Sequence, residues 1–142
     1  MTTVREIMHS GAECIGEREN LFVAARMMRD LDVGALPICG EDNRLKGIIT
    51  DRDIVTKCVA RGLDPAQCAA QELAEGTPQW IEADDDVEQA LSRMERHRIK
   101  RLPVVDERHD LIGMVSEADL AQHLSPAQMA QFTRKVFTPH AS

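Results

Sequence analysis

Thr50-Asp51-Arg52-Asp53 and Ser116-Glu117-Ala118-Asp119 each set a hydroxyl three residues ahead of a carboxylate. Each run follows a glycine and an apolar pair, Gly47-Ile48-Ile49 and Gly113-Met114-Val115, so the hydroxyl stands where a strand gives way to a helix. At such a turn the hydroxyl and the free helical amides suit a phosphate, and the carboxylate suits the vicinal hydroxyls of a ribose. Carboxylate recognition of ribose follows the same logic in dinucleotide-binding folds, although no Gly-rich phosphate loop occurs here. A purely structural reading competes: in a capping box the hydroxyl accepts from the amide three residues on, and the acidic side chain returns a bond to the cap. Capping boxes prefer Glu or Gln at the third position because Asp is short for the return bond, and this chain uses Asp twice. The capping reading therefore accounts for part of the pattern and leaves room for a ligand.

The elements that position these pairs repeat at one offset. Leu36-Pro37-Ile38-Cys39 returns as Leu102-Pro103-Val104-Val105, displaced by the same 66 residues that separate Gly47 from Gly113. A single offset without insertions means two copies of one supersecondary unit. Leu21, Ala24, Ala25 and Met28 fall on one helical face, and Val87, Ala90, Leu91 and Met94 reproduce it. Each unit reads β-α-β-β-α: a short strand near Cys14 and Ile15, this helix, strands over 35–39 and 45–49, and a helix over about 51–58. A short helix opened by Thr3-Val4-Arg5-Glu6 precedes the first unit. The fold class is α/β in the broad sense (α+β), two β-α-β-β-α repeats packed as a pseudo-two-fold pair, with repeat one over 1–66, repeat two over 67–124 and a helical tail over 125–142. The tail starts with Ser125-Pro126 and carries Met129, Phe132 and Val136 at helical spacing. With only three phenylalanines in the chain, two of them in this tail, it is expected to pack on something, most simply a second copy of the protein.

Composition narrows the function classes. A net charge of −7 repels phosphate backbones, and three Phe, one Trp and no Tyr leave few platforms for stacking bases, so nucleic acid is not expected as a partner. No apolar run is long enough for a membrane span and no signal peptide is read at the start, which makes the cytoplasm the default compartment. The cysteines (Cys14, Cys39, Cys58, Cys68) lack the spacing of a zinc ribbon, and reduced thiols are the default in that compartment. Cys14 and Cys39 both fall on strands of the first repeat, which leaves a disulfide between them open. There is no recognisable nucleophile arrangement, HExxH or Walker-type loop, so an enzyme is not expected.

The duplicated Gly-apolar-apolar-Thr/Ser-x-x-Asp pattern, with Pro37 and Pro103 in the middle strands, resembles a tandem pair of cystathionine-β-synthase (CBS) domains, the Bateman module. The resemblance covers residues 3–124, and the whole chain is similar to stand-alone bacterial two-CBS proteins of the hypoxic response protein type. It implies interdigitated sheets, a cleft with two candidate sites for an adenosine-containing ligand (AMP, ADP, ATP or S-adenosylmethionine), and disc-shaped homodimers. Thr50 with Asp53, and Ser116 with Asp119, match the family's phosphate and ribose positions. Lys100 and Arg101 match positions that reach toward phosphate, a role that suits a bidentate guanidinium, whereas the first repeat has Gly34 and Ala35 there. A solvated basic loop is the competing reading of that pair.

Two histidines complete the candidate set. His97 closes the first helix of the second repeat and His123 its last helix, where they are candidate zinc ligands, although two imidazoles leave a tetrahedral site short of donors. Asp84, Asp85 and Asp86 precede a helix and read as capping residues. The expected function is a non-catalytic regulatory module that binds an adenosine ligand, needs no cofactor, and signals through dimer shape or a separate partner protein. The alternative is a stress-response interaction protein with vestigial nucleotide sites, stabilised by metal or disulfide.

Overall fold

In a computed structural model that describes residues 2–11, 13–74 and 78–137, every duplicated element recurs at the offset of 66. The first repeat supplies β2 (Ile15–Gly16), α2 (Leu21–Leu31), β3 (Ala35–Cys39), β4 (Leu45–Thr50) and α3 (Asp51–Ile54). The second supplies β5 (Ile81–Glu82), α5 (Val87–His97), β6 (Arg101–Val105), β7 (Leu111–Ser116) and α6 (Glu117–Ala121). Short helices α1 (Val4–Ile7) and α4 (Ala70–Leu73) lead the two repeats, β1 (His9–Ser10) follows α1, and α7 (Pro126–Phe137) is the tail. The backbone exceptions repeat as well. Asp32 and Arg98, which end α2 and α5, and Asn43 and His109, in the β3–β4 and β6–β7 turns, all adopt the left-handed conformation. Asn and Asp tolerate that region through local hydrogen bonding; Arg98 and His109 adopt it at the matching positions of the second repeat.

The chain divides into two compact units, and each unites one repeat's body with the other repeat's leading helix. In one unit the sheet runs β1-β7-β6-β5, and Val4 of α1 is buried with Ile81, Val87, Met94, Leu102 and Val115. Its backbone anchors are Val4 N–H to Asp85 O and Arg5 N–H to Ala83 O, both 2.8 Å. In the other unit the sheet runs β2-β3-β4, and Ala70 and Leu73 of α4 are buried with Ile15, Leu21, Leu36 and Ile49. The same anchors appear there shifted by 66, from Ala70 N–H to Glu19 O (2.8 Å) and from Gln71 N–H to Glu17 O (3.1 Å). The close approach of the leading segments accounts for the motif glycines. A Cβ on Gly113 would lie 2.6 Å from the His9 carbonyl oxygen, and one on Gly47 would lie 2.9 Å from the Ala74 methyl.

Four expectations need correction. The tail does not depend on a second copy for its packing, because Phe132 is fully buried and Val136 nearly so in the core of the unit that holds α5. Lys135 also reaches Glu95 of α5 at 3.3 Å. Ala25 is exposed although Leu21, Ala24 and Met28 are buried, so the apolar stripe of α2 is narrower than that of α5, where Leu91 is buried at the matching position. The helix expected over 51–58 is α-helical only to Ile54, then continues as a π-helical turn, Val55–Val59, closed by Ala60 N–H to Val55 O. The thiols are not all reduced. Cys14 and Cys39 form a disulfide with their Cα atoms 5.8 Å apart, because parallel pairing of β2 with β3 sets Ile15 beside Ile38 and brings the two residues within bridging range. Cys58 and Cys68 are thiols in the core of the same unit; burial, then the neighbouring Cys58, pushes the Cys68 thiol up.

Candidate ribose and phosphate sites

Both hydroxyl and carboxylate pairs sit at strand-to-helix turns, as their spacing indicated. Thr50 ends β4 in extended backbone, and its Oγ1 accepts from the Asp53 amide at 3.1 Å. The Asp53 Oδ2 accepts in return from the Thr50 amide at 3.0 Å. In the second repeat the Ser116 amide donates to Asp119 Oδ2 at 2.8 Å. Asp is therefore long enough for the return bond: the extended cap residue turns its amide toward the third helical position. The short acid does not disfavour the capping box at either turn, and both boxes are complete.

Capping engages one carboxylate oxygen in each pair, so the other oxygen decides what a ligand would meet. At the first pair, Asp53 Oδ1 takes Lys57 Nζ at 3.1 Å, one helical turn along. At the second, Asp119 Oδ1 takes His9 Nε2 at 2.9 Å. The hydroxyls differ too. Thr50 Oγ1 accepts and keeps a proton to give, whereas Ser116 Oγ donates its proton to Asp119 Oδ2 at 3.0 Å. Neither Lys57 nor His9 was singled out in the sequence. Lys57 was findable, since it stands four residues after Asp53. His9 carried no signal, because the pair joins residues that lie 110 positions apart and meet only when β1 pairs with β7 (His9 opposite Met114, Ser10 opposite Gly113).

The basic pair and the histidines occupy exposed positions. The Lys100 carbonyl accepts from the Glu117 amide at 3.0 Å, the counterpart of Gly34 O with Asp51 N–H at 2.9 Å, so residue 100 is tied by its backbone to the turn that carries Ser116. Its ammonium lies 4.6 Å from the centre of the Phe137 ring, a cation–π contact. Arg101 opens β6 and is exposed. His97 is the last residue of α5, and His123 follows α6 with its amide bonded to Leu120 O. Both imidazoles are exposed, and among the described residues no cluster of three or more His, Cys, Asp or Glu gathers to hold a metal. Asp86 caps α5 by accepting from the Glu88 amide, and Asp84 pairs with Arg5, so the acidic run has structural partners.

Known proteins resemble this chain along nearly all of it. Hypoxic response protein 1 of Mycobacterium tuberculosis is 48% identical over 141 residues, which covers 99% of this chain and 98% of the relative. A crystal structure of Hypoxic Response Protein I with two coordinated zinc ions superposes with a TM-score of 0.81 at 50% identity, covering 87% of this chain and all of that one. A CBS domain protein of Pyrobaculum aerophilum, complexed with AMP, shares the fold at 24% identity and a TM-score of 0.79, covering 93% of this chain and 98% of that one. The CBS domain family matches twice, at residues 4–60 and 71–126, the two copies that the offset of 66 marks out. The chain belongs to the CBS domain family and carries two CBS domains in one polypeptide.

Proposed function

We propose that the chain is a non-catalytic regulatory module that binds an adenosine-containing ligand such as AMP, ADP, ATP or S-adenosylmethionine. The observation that carries this reading is the duplicated pair, a hydroxyl and a partly buried carboxylate held together by their own capping bonds. Thr50 and Ser116 would meet phosphate, and Asp53 and Asp119 would accept from ribose hydroxyls. Lys100 and Arg101 would supply cationic contacts to phosphate, Lys100 by leaving the Phe137 ring. Proteins of this fold complexed with AMP, and with 5′-methylthioadenosine and S-adenosylmethionine, support the ligand class. A homodimer is the proposed assembly, with its geometry or a separate partner protein as the output.

Calorimetry with a panel of adenosine ligands tests this reading. Asp53→Ala and Asp119→Ala should each remove one binding event, since losing a charged hydrogen bond costs about 1.5–3 kcal/mol, more than tenfold in affinity. Unchanged stoichiometry and affinity in both variants would refute it. Adenosine should bind more weakly than AMP, with added salt narrowing the gap.

The similarity to a zinc-containing hypoxic response protein favours a second reading. His97 and His123 would give two nitrogens to a zinc ion whose remaining donors come from beyond the described residues, such as a second copy. Zinc per chain, measured on protein prepared without chelator, should fall when both histidines are changed to Ala. Equal metal in native protein and double variant would exclude these ligands.

A further inference from the structure

The Asp119 carboxylate is nearly enclosed, with its side chain 11% exposed, and its partners Ser116 and His9 belong to the same compact unit. Oδ2 accepts twice from Ser116, from the amide and from the hydroxyl. Oδ1 is the oxygen left for a ribose, and the His9 imidazole is on it. The backbone builds this contact. β1 runs antiparallel to β7, Gly11 N–H donates to Ile112 O at 3.0 Å, and the missing Cβ of Gly113 lets the His9 carbonyl pass close by. The His9 side chain, by contrast, is 78% exposed, so it can turn away into water with little desolvation or packing to undo.

We propose that His9 is a displaceable plug in the second ribose site, a residue that competes with ribose hydroxyls for Asp119 Oδ1 and so sets that site's affinity below what its carboxylate alone would give. The inference rests on the adenosine reading of the Ser116 and Asp119 pair. It separates the two sites by construction. The first carboxylate is held by Lys57 of its own helical segment, an ammonium on a flexible four-carbon stem. The second is held by a ring delivered on a strand from 110 residues away in sequence. The residue 66 positions beyond His9 in the sequence is Glu75, so the duplication does not repeat the histidine. A ligand lacking the vicinal diol gains nothing by displacing His9, so the plug weakens ribose-bearing ligands alone and narrows the margin by which the site prefers them.

The test titrates AMP and 2′,3′-dideoxy-AMP by calorimetry into the otherwise unaltered chain, His9→Ala and His9→Gln, and repeats the series with Asp53→Ala so that the second site is read alone. His9→Ala should tighten AMP at the second site by about tenfold, the value of one charge-assisted hydrogen bond. His9→Gln keeps a side-chain donor and should recover part of the restraint, and dideoxy-AMP should bind all forms alike. In the unaltered chain, the His9 ring signals in NMR should move when AMP is added and stay fixed in Asp119→Ala. If AMP binds the native chain while His9→Ala leaves its affinity unchanged, or tightens dideoxy-AMP equally, the plug is refuted and the adenosine site stands. If AMP binds neither the native chain nor His9→Ala, the adenosine reading falls and the plug with it.

Discussion

Reducing the Cys14–Cys39 bridge should cost this protein a large share of its stability, and the loop it closes sets the amount. The two cysteines are 25 residues apart and enclose β2, α2 and β3. In the chain-entropy account, closing a loop of that length removes about 3.5 kcal/mol of freedom from the unfolded chain at 25 °C. The bridge also fastens a short seam, in which Ile15 pairs with Ile38 and Gly16 with Cys39, and Glu17 N–H reaches Cys39 O at 3.0 Å. For a 142-residue chain unfolding in one step, the same free energy corresponds to a fall in Tm of about 12 °C. Urea unfolding of non-reduced protein, reduced protein and Cys14→Ala measures it directly. The non-reduced form should be more stable by about 3.5 kcal/mol, and reductant should have no further effect on Cys14→Ala. Four titratable thiols in non-reduced, unfolded protein, or equal stability with and without reductant, would refute the reasoning.

Two further substitutions test the packing. Gly113→Ala should destabilise by about 1–3 kcal/mol in urea, because the added methyl meets the His9 carbonyl and Met8 Sδ, the former a backbone atom that moves only if β1 leaves β7; a change within about 0.5 kcal/mol would show that β1 is not held there. Phe132→Ala should cost about 3–5 kcal/mol while leaving the molecular mass in light scattering unchanged, since the ring is buried within its own chain. A loss of mass without a loss of stability would instead place the ring against a second copy.

The repeat was legible because a shared offset constrains many positions at once. From Leu36-Pro37 and Gly47 it extends to the helix ends at Asp32 and Arg98 and the turns at Asn43 and His109, none of which has to look alike as a sequence. What stayed hidden was the destination of buried faces. Val4 read as an apolar residue of a short helix, but periodicity says which side is buried and not which sheet buries it, so the exchange of leading helices could not be read from pattern alone. Phe132 was misplaced for the same reason: its need for a partner was visible, and the identity of that partner was not.

The inequality of the two sites has the same origin. Duplication copies the residues within each repeat, so Thr50 with Asp53 and Ser116 with Asp119 share the return bond from the cap amide to the carboxylate. It does not make equivalent the segments that arrive from elsewhere in the chain. The carboxylate oxygens that capping leaves over are met by whatever the fold brings to them, a lysine from the next turn at one pair and a histidine from the leading strand at the other. Two sites that a motif search scores as equal therefore diverge through residues outside the motif. Substitution at Lys57 or His9 is expected to change ligand affinity at one site while leaving the capping bonds, and with them the fold, in place.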